Sequence, residues 1–234
     1  MVENVKGTDA AQVKADSIGA EEGNRSSAVD TAKYRSSPDT IRVMLDTVGY
    51  SVKPDGAEIG RITNRLKRAQ PSEVTPAELC EHVKQGKTFM CGAFEPKPSG
   101  RGWGAFLGQR LFGIDVDNKL GHMLLKPGMP GYLEPLDALE RCREHGYFPL
   151  CLYFTMSANA ETGAVKYRIV LDSGRVVADA DKCAAAMRKL LSVFGEADAS
   201  CVNPHTRLWL GGSGEVWPCY QLGREYWQGV GDYE

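Results

Sequence analysis

Leu111-Phe-Gly-Ile-Asp-Val-Asp-Asn118 is the stretch from which the fold of this chain is read. Mostly apolar residues lead into Asp-x-Asp. In a strand, successive side chains alternate between faces. Asp115 and Asp117 therefore share one face, and Ile114 and Val116 share the other. Two neighbouring carboxylates resist joint ionisation, and a divalent cation between them removes that penalty. Hard oxygen ligands suit Mg²⁺ or Mn²⁺. Read alone, the same residues also describe a strand end whose Asp-Asn opens a turn.

Downstream, Lys166-Tyr-Arg-Ile-Val-Leu-Asp172 alternates in the same way. Lys166 and Arg168 face one side, and Tyr167, Ile169 and Leu171 face the other. Arg offers a two-pronged donor and Lys a point charge, a pairing suited to a triphosphate. An ordinary amphipathic strand with two solvated bases fits equally well. A third segment, residues 197–212, holds Asp198 just beyond a helix stop at Gly195, then a loop, then Arg207 entering an apolar run. These two residues read either as a local salt bridge or as a third metal ligand and a phosphate clamp.

The pattern around these segments predicts their neighbours. Asp39 is placed to cap a short helix through about Val48, stopped by Gly49. A second helix spans 75–85, with Thr75 as N-cap, Pro76 as its first residue and Glu78 completing a capping box. Strand-like pieces follow at 88–94 and 104–117, separated by a Gly-rich loop over 97–104. A loop at 121–135, a helix at 136–144, a strand at 149–157 and a turn at 159–163 come next. A strand at 165–171, a helix at 179–194 and a short strand at 207–210 complete the series. The order from residue 88 is strand, helix, hairpin, helix, strand, an α/β or α+β arrangement with an antiparallel hairpin. Residues 1–37 are polar and read as a flexible arm. Residues 38–234 read as one catalytic domain: a module at about 38–110, a core at about 111–212 and an aromatic extension at 213–234.

A net charge of −2 excludes a basic nucleic-acid coat protein, so any such surface is local. Residues 61–110 carry nine Lys or Arg against four Glu and no Asp. Within them Arg101, Trp103 and Arg110 are candidate contacts to single-stranded nucleic acid, by charge and stacking; an ordinary surface loop is the alternative. The seven cysteines include no Cys-x-x-Cys, and several lie in apolar runs, so they read as buried free thiols. The four histidines are too scattered for the His-apolar-His pair of a rolling-circle nuclease. No apolar signal core or membrane-length run is present, which predicts a cytoplasmic protein without membrane contact.

Taken in order, the three segments resemble the catalytic domain of the archaeo-eukaryotic primase superfamily, the primase-polymerases, in the form found in phages, plasmids and integrated elements. The first motif corresponds to Phe112-Gly-Ile-Asp115-Val-Asp117-Asn118, the second to Lys166-Tyr-Arg168-Ile-Val-Leu171, and the third to Asp198 with Arg207-Leu-Trp209. The lead-in Glu78-Leu-Cys-Glu-His-Val-Lys-Gln-Gly86-Lys-Thr-Phe89 and the run from Arg207 to Gly212 fit that branch, and the likeness spans about residues 61–212. The resemblance implies an RRM-like core, an antiparallel or mixed sheet flanked by helices, with added N-terminal α/β elements. It implies Mg²⁺ or Mn²⁺ held by Asp115, Asp117 and Asp198, with an NTP or dNTP bound by Lys166, Arg168 and Arg207. Its partners would be a single-stranded DNA template and a replicative helicase. A basic residue of the second motif is usually His in that family, in a Ser-x-His setting. Here Arg168 and Lys166 stand at those places, and an Arg binds phosphate but does not shuttle protons near neutral pH. The alternative is a non-catalytic nucleic-acid-binding initiator module on the same fold.

Overall fold

In the computed structural model, which describes residues 40–159, 161–222 and 226–227, the Asp-x-Asp stretch closes a long strand. That strand, β5, runs over Phe106–Val116 and is buried along most of its length. Before it come β1 (Ile41–Gly49), α1 (Gly56–Arg68), β2 (Ser72–Val74), α2 (Pro76–Lys84), β3 (Lys87–Met90) and β4 (Gly92–Phe94). After it come β6 (Lys119–Leu120), β7 (Met123–Leu124), α3 (Pro135–Glu144), β8 (Pro149–Thr155), β9 (Tyr167–Val177), α4 (Ala180–Val193) and β10 (Gly212–Trp217). The predicted flexible arm at 1–37 lies outside the described residues.

Five strands form the main sheet in the order β10-β8-β9-β5-β4, and three form a second in the order β2-β1-β3. Every pairing within them is antiparallel. Because β5 and β8 both run against β9, they are parallel to each other with β9 inserted between them. Parallel neighbours of this kind need a long crossover, and α3 lies within the one between β5 and β8. The fold is thus mixed α/β, with antiparallel sheets and flanking helices. The line drawn at 110/111 falls inside β5, and the described residues belong to one compact unit. Among them no helix is long and apolar enough to cross a membrane.

The period-2 alternation of β9 sorts the two faces of this sheet. Tyr167 is fully buried and its hydroxyl donates to the carbonyl of Leu133, just ahead of α3, at 3.1 Å. Arg141 of α3 pairs with Glu196, just beyond α4, at 2.7 Å, so both helices share that side. Arg168 points the opposite way, toward the face that Trp209 covers. Gly113 makes this closeness possible, since a Cβ there would lie 2.4 Å from the Trp209 ring. Gly86 plays a similar part at the end of α2. Its φ is +71° and an added Cβ would meet the carbonyl oxygen of Tyr50 at 1.9 Å.

The helix over 75–85 forms as expected. Thr75 accepts from the Glu78 amide at 3.2 Å while the Glu78 carboxylate accepts from the Thr75 amide at 2.7 Å. Two local expectations are overturned. Residues 41–49 form strand β1, not a helix, because β2 and β3 pair with both of its edges and bury Ile41, Val43 and Met44. The capping residue assigned to that helix, Asp39, lies outside the described residues. Residues 207–210 are not a regular strand. Only Trp209 bridges to Phe89, while Arg207 turns into the cleft described below. Helix α1 and strand β10 were not foreseen. Gly56 and Gly60 mask the first, and Gly212 and Gly214 the second, since glycine disfavours both helix and strand.

Candidate active site

The ends of β5, β8 and β9, with the loops after α4 and before α1, enclose a cleft of about 360 Å³. Its walls carry Asp115, Asp117 and Asp198 together with Lys53, Lys119, Lys166, Arg168 and Arg207. All six residues singled out as metal or phosphate ligands therefore converge there. Asp198 reaches Asp115 through the backbone as well, its amide donating to the Asp115 carbonyl at 2.8 Å.

Strand register sets the first row of the site. Asp115 lies opposite Arg168, and Arg168 lies opposite Tyr153 on the next strand. Arg168 donates from Nε to Asp115 Oδ1 at 3.1 Å and from Nη2 to Oδ2 at 3.2 Å. Its third nitrogen donates to the Leu210 carbonyl at 2.8 Å, which the Tyr153 hydroxyl also reaches at 3.1 Å. Burial opposes the Arg168 charge, but Tyr153 and Asp115 outweigh it and hold the guanidinium protonated. Two residues further along, Lys166 lies 3.7 Å from Asp117 Oδ1, and Lys119 lies 2.5 Å from Oδ2. Burial would raise the Asp117 carboxyl, but the Lys119 bond and the Lys166 charge prevail and set it below its ordinary value.

Arg207 closes the ring. Its Nη2 lies 3.0 Å from Asp115 Oδ2 and 3.0 Å from Asp198 Oδ2, and its Nη1 donates to Ser200 Oγ at 2.7 Å. Trp209 is fully buried and lies beneath both guanidinium groups, 5.1 Å from Arg207 and 5.7 Å from Arg168. Asp198 is also set below its ordinary value. Burial pushes its carboxyl up, and the Ser200 and Arg207 bonds more than compensate.

The turn alternative for Asp-Asn and the shared-face reading hold together. Asn118 has φ 43°, the only non-glycine positive φ among the described residues, and it opens the β6–β7 hairpin. Its side chain is locked by Leu133 N at 2.9 Å, Leu133 O at 3.0 Å and Val165 O at 3.2 Å. That anchoring holds the end of β5 in register with β9.

Three other candidates lie elsewhere. Arg110 is held by both oxygens of Asp172 at 2.7 and 2.8 Å. Trp103 packs on Phe94 at 5.0 Å beneath the Lys67 ammonium, and Arg101 is exposed in the neighbouring loop. None of the three lines the cleft. Reading the sequence missed Lys53, Lys119 and Trp209. Lys119 carried a signal, lying two residues past Asp117 and thus on its face wherever the extended chain continues. Trp209 stood in the third motif without a role of its own, and Lys53 carried no signal, because tertiary packing alone brings it in.

The donor set suits a hard divalent cation in kind: three carboxylates in one polar cleft. As they stand, each is neutralised from within, and among the described residues no three His, Cys, Asp or Glu side chains are gathered to hold a metal ion. All seven cysteines are free and buried, and burial pushes Cys201, the one beside the cleft, up to about 11. Comparison of the chain with protein-family models, curated proteins and solved structures finds no match.

Proposed function

We propose that the chain is a metal-dependent nucleotidyltransferase of the primase-polymerase type, making or extending primers on single-stranded DNA from NTPs or dNTPs. One observation carries this reading. Asp115, Asp117 and Asp198 come from a strand end and a distant post-helical loop, yet they line one cleft with Lys166, Arg168 and Arg207. The order β5, α3, β8, β9, α4, with β9 between β5 and β8, supports an RRM-like core beneath them.

Mg²⁺ or Mn²⁺, when bound by the three carboxylates, supplies a lowered pKa for an attacking 3′-hydroxyl and neutralises charge on the departing phosphates. The cleft's own residues do the rest. Lys53, Lys119, Lys166, Arg168 and Arg207 give five cations against three carboxylates, so an empty cleft attracts polyanions. Arg168 is fixed by Leu210 and Trp209, which makes it a preorganised donor to phosphate oxygens. Among the described residues no His lines the cleft, so none of them offers an imidazole proton shuttle there.

A second reading, a nucleic-acid-binding module without catalysis, draws on one specific observation: every carboxylate is already ion-paired within the chain. Primer synthesis on single-stranded DNA, with labelled nucleotides and Mg²⁺ or Mn²⁺, separates the two. Incorporation that disappears in Asp117→Ala supports the enzyme. Strand binding without incorporation under either metal leaves the binding module.

A further inference from the structure

The position of one nitrogen carries an inference that rests on the nucleotidyl-transfer reading and extends it to regulation. Arg207 Nη2 lies 3.0 Å from an oxygen of Asp115 and 3.0 Å from an oxygen of Asp198. A cation bridging those two carboxylates would compete for the same oxygens. We propose that Arg207 is an internal counter-cation that holds the Asp115–Asp198 pair closed to a divalent ion until a polyphosphate chain draws the guanidinium away.

Three features support this. The two carboxylates are tethered through the bond from the Asp198 amide to the Asp115 carbonyl, so their spacing does not depend on Arg207 alone. The guanidinium has one support independent of the carboxylates, the Trp209 face at 5.1 Å; Ser200 Oγ, which accepts from Arg207 Nη1 at 2.7 Å, itself donates to Asp198 Oδ2 at 2.5 Å. The charge balance of the cleft gives the sign. With five cations facing three carboxylates, a further divalent cation enters an already positive site, whereas a polyphosphate enters an attractive one. Phosphate oxygens recruit Arg207, and the carboxylates it leaves recruit the metal. Each ligand thereby raises the affinity for the other, and the coupling is reciprocal. The cleft would therefore take up metal together with its phosphate substrate and hold little of it beforehand.

Mn²⁺ titrations, followed through the electron paramagnetic resonance signal of the free ion, test the proposal on the full chain. The probes are Mn²⁺ alone and Mn²⁺ with inorganic triphosphate, corrected for binding between the two. Without triphosphate, Arg207→Gln should bind Mn²⁺ about tenfold more tightly than the unaltered protein. Arg207→Lys keeps the charge but loses the planar fork that bonds both carboxylates and Ser200, and should fall between them. Triphosphate should tighten Mn²⁺ binding about tenfold in the unaltered protein and less than about twofold in Arg207→Gln. Thermal melting establishes that each variant is folded, and Arg207→Lys decides the matter if Arg207→Gln is not. Unchanged or weaker Mn²⁺ binding in the folded variants overturns the counter-cation while leaving the cleft a metal site. No Mn²⁺ binding by any of the proteins, with or without triphosphate, overturns both this inference and the metal-dependent reading beneath it.

Discussion

Two charged networks in this molecule use the same side chains to different ends. On the flank of α1, Arg65 holds both oxygens of the fully buried Asp46 side chain at 2.7 and 2.8 Å. It also reaches Tyr50 and Glu58, while Arg61 pairs with Glu58 at 2.7 Å. Two acids meet two bases, and all lie within 46–65. In the cleft, three acids meet five bases, gathered from before α1 to beyond α4. The first network joins neighbouring elements and leaves no charge to spare. The second carries an excess of cations around an open cleft. Ion pairing alone thus does not mark a functional site. What sets the cleft apart is the convergence of remote segments on an unbalanced charge, and under the proposed function the two networks should respond oppositely to substitution.

The largest contrast is catalytic. Asp117→Ala should lower nucleotide incorporation by at least about a hundredfold, the scale on which positioned charge acts in a transition state. Its side chain is at the open end of β5 and opens no core cavity, so melting should fall only slightly, by the loss of its pairs with Lys119 and Lys166. A folded Asp117→Ala protein that incorporates nucleotide normally would end the enzyme reading. Gly113→Ala follows in size and joins the two kinds of effect. The new methyl meets a Trp209 ring that has no room to retreat, which should cost about 3 kcal/mol of stability by denaturant unfolding. Any molecules that stay folded should bind nucleotide poorly, because Trp209 also supports Arg168 and Arg207.

Asp46→Ala gives the reverse pattern with a smaller magnitude. Arg65 is one-third exposed and keeps Tyr50 and Glu58, so the loss is that of charged hydrogen bonds, about 2 kcal/mol. Incorporation per folded molecule should be unchanged. A drop in turnover at full stability would erase the distinction drawn between the networks.

How much of this was legible beforehand depended on the range of the forces involved. The helix at 76–84 and the facing of Asp115, Asp117, Lys166 and Arg168 follow from caps and alternation, which are local. Strand β1 does not. Its pattern of exposure reads as helix or strand until β2 and β3 pair with it, and that is tertiary information. The shared cleft was foreseen from the order of three segments, whereas the ring that now neutralises it was not. Lys119 turns back after Asn118 adopts a positive φ, and Arg207 leaves its expected strand to bridge two carboxylates. Both moves depend on partners distant in sequence or on a single backbone torsion, which composition and periodicity do not record.

The smallest expected effect, the acid limb of the stability curve, separates the networks by pH. Asp117 and Asp198 are both held below their ordinary values in the folded state. Their contribution is therefore complete above the unfolded carboxyl value of about 3.9 and is lost as pH falls through the lower folded values. Glu58 is held down to about 2, chiefly by the Tyr50 hydroxyl and by Arg61, so its contribution begins to fall below the unfolded Glu value of about 4.3 and goes on falling to about 2. Urea midpoints measured from pH 5 down to pH 2 should fall in the unaltered protein across this range. Asp117→Asn and Asp198→Asn each remove a titrating group and should flatten the upper part of that fall. Glu58→Gln should flatten the whole of the fall, including the part nearest pH 2 that the two Asp variants leave. The comparison is between slopes, because each amide also weakens its partner's bond and lowers the whole curve. Identical slopes in Asp117→Asn and the unaltered protein would mean that Lys119 and Lys166 do not hold the Asp117 carboxylate in solution. The cleft would then have one acid free for metal without any exchange of cations.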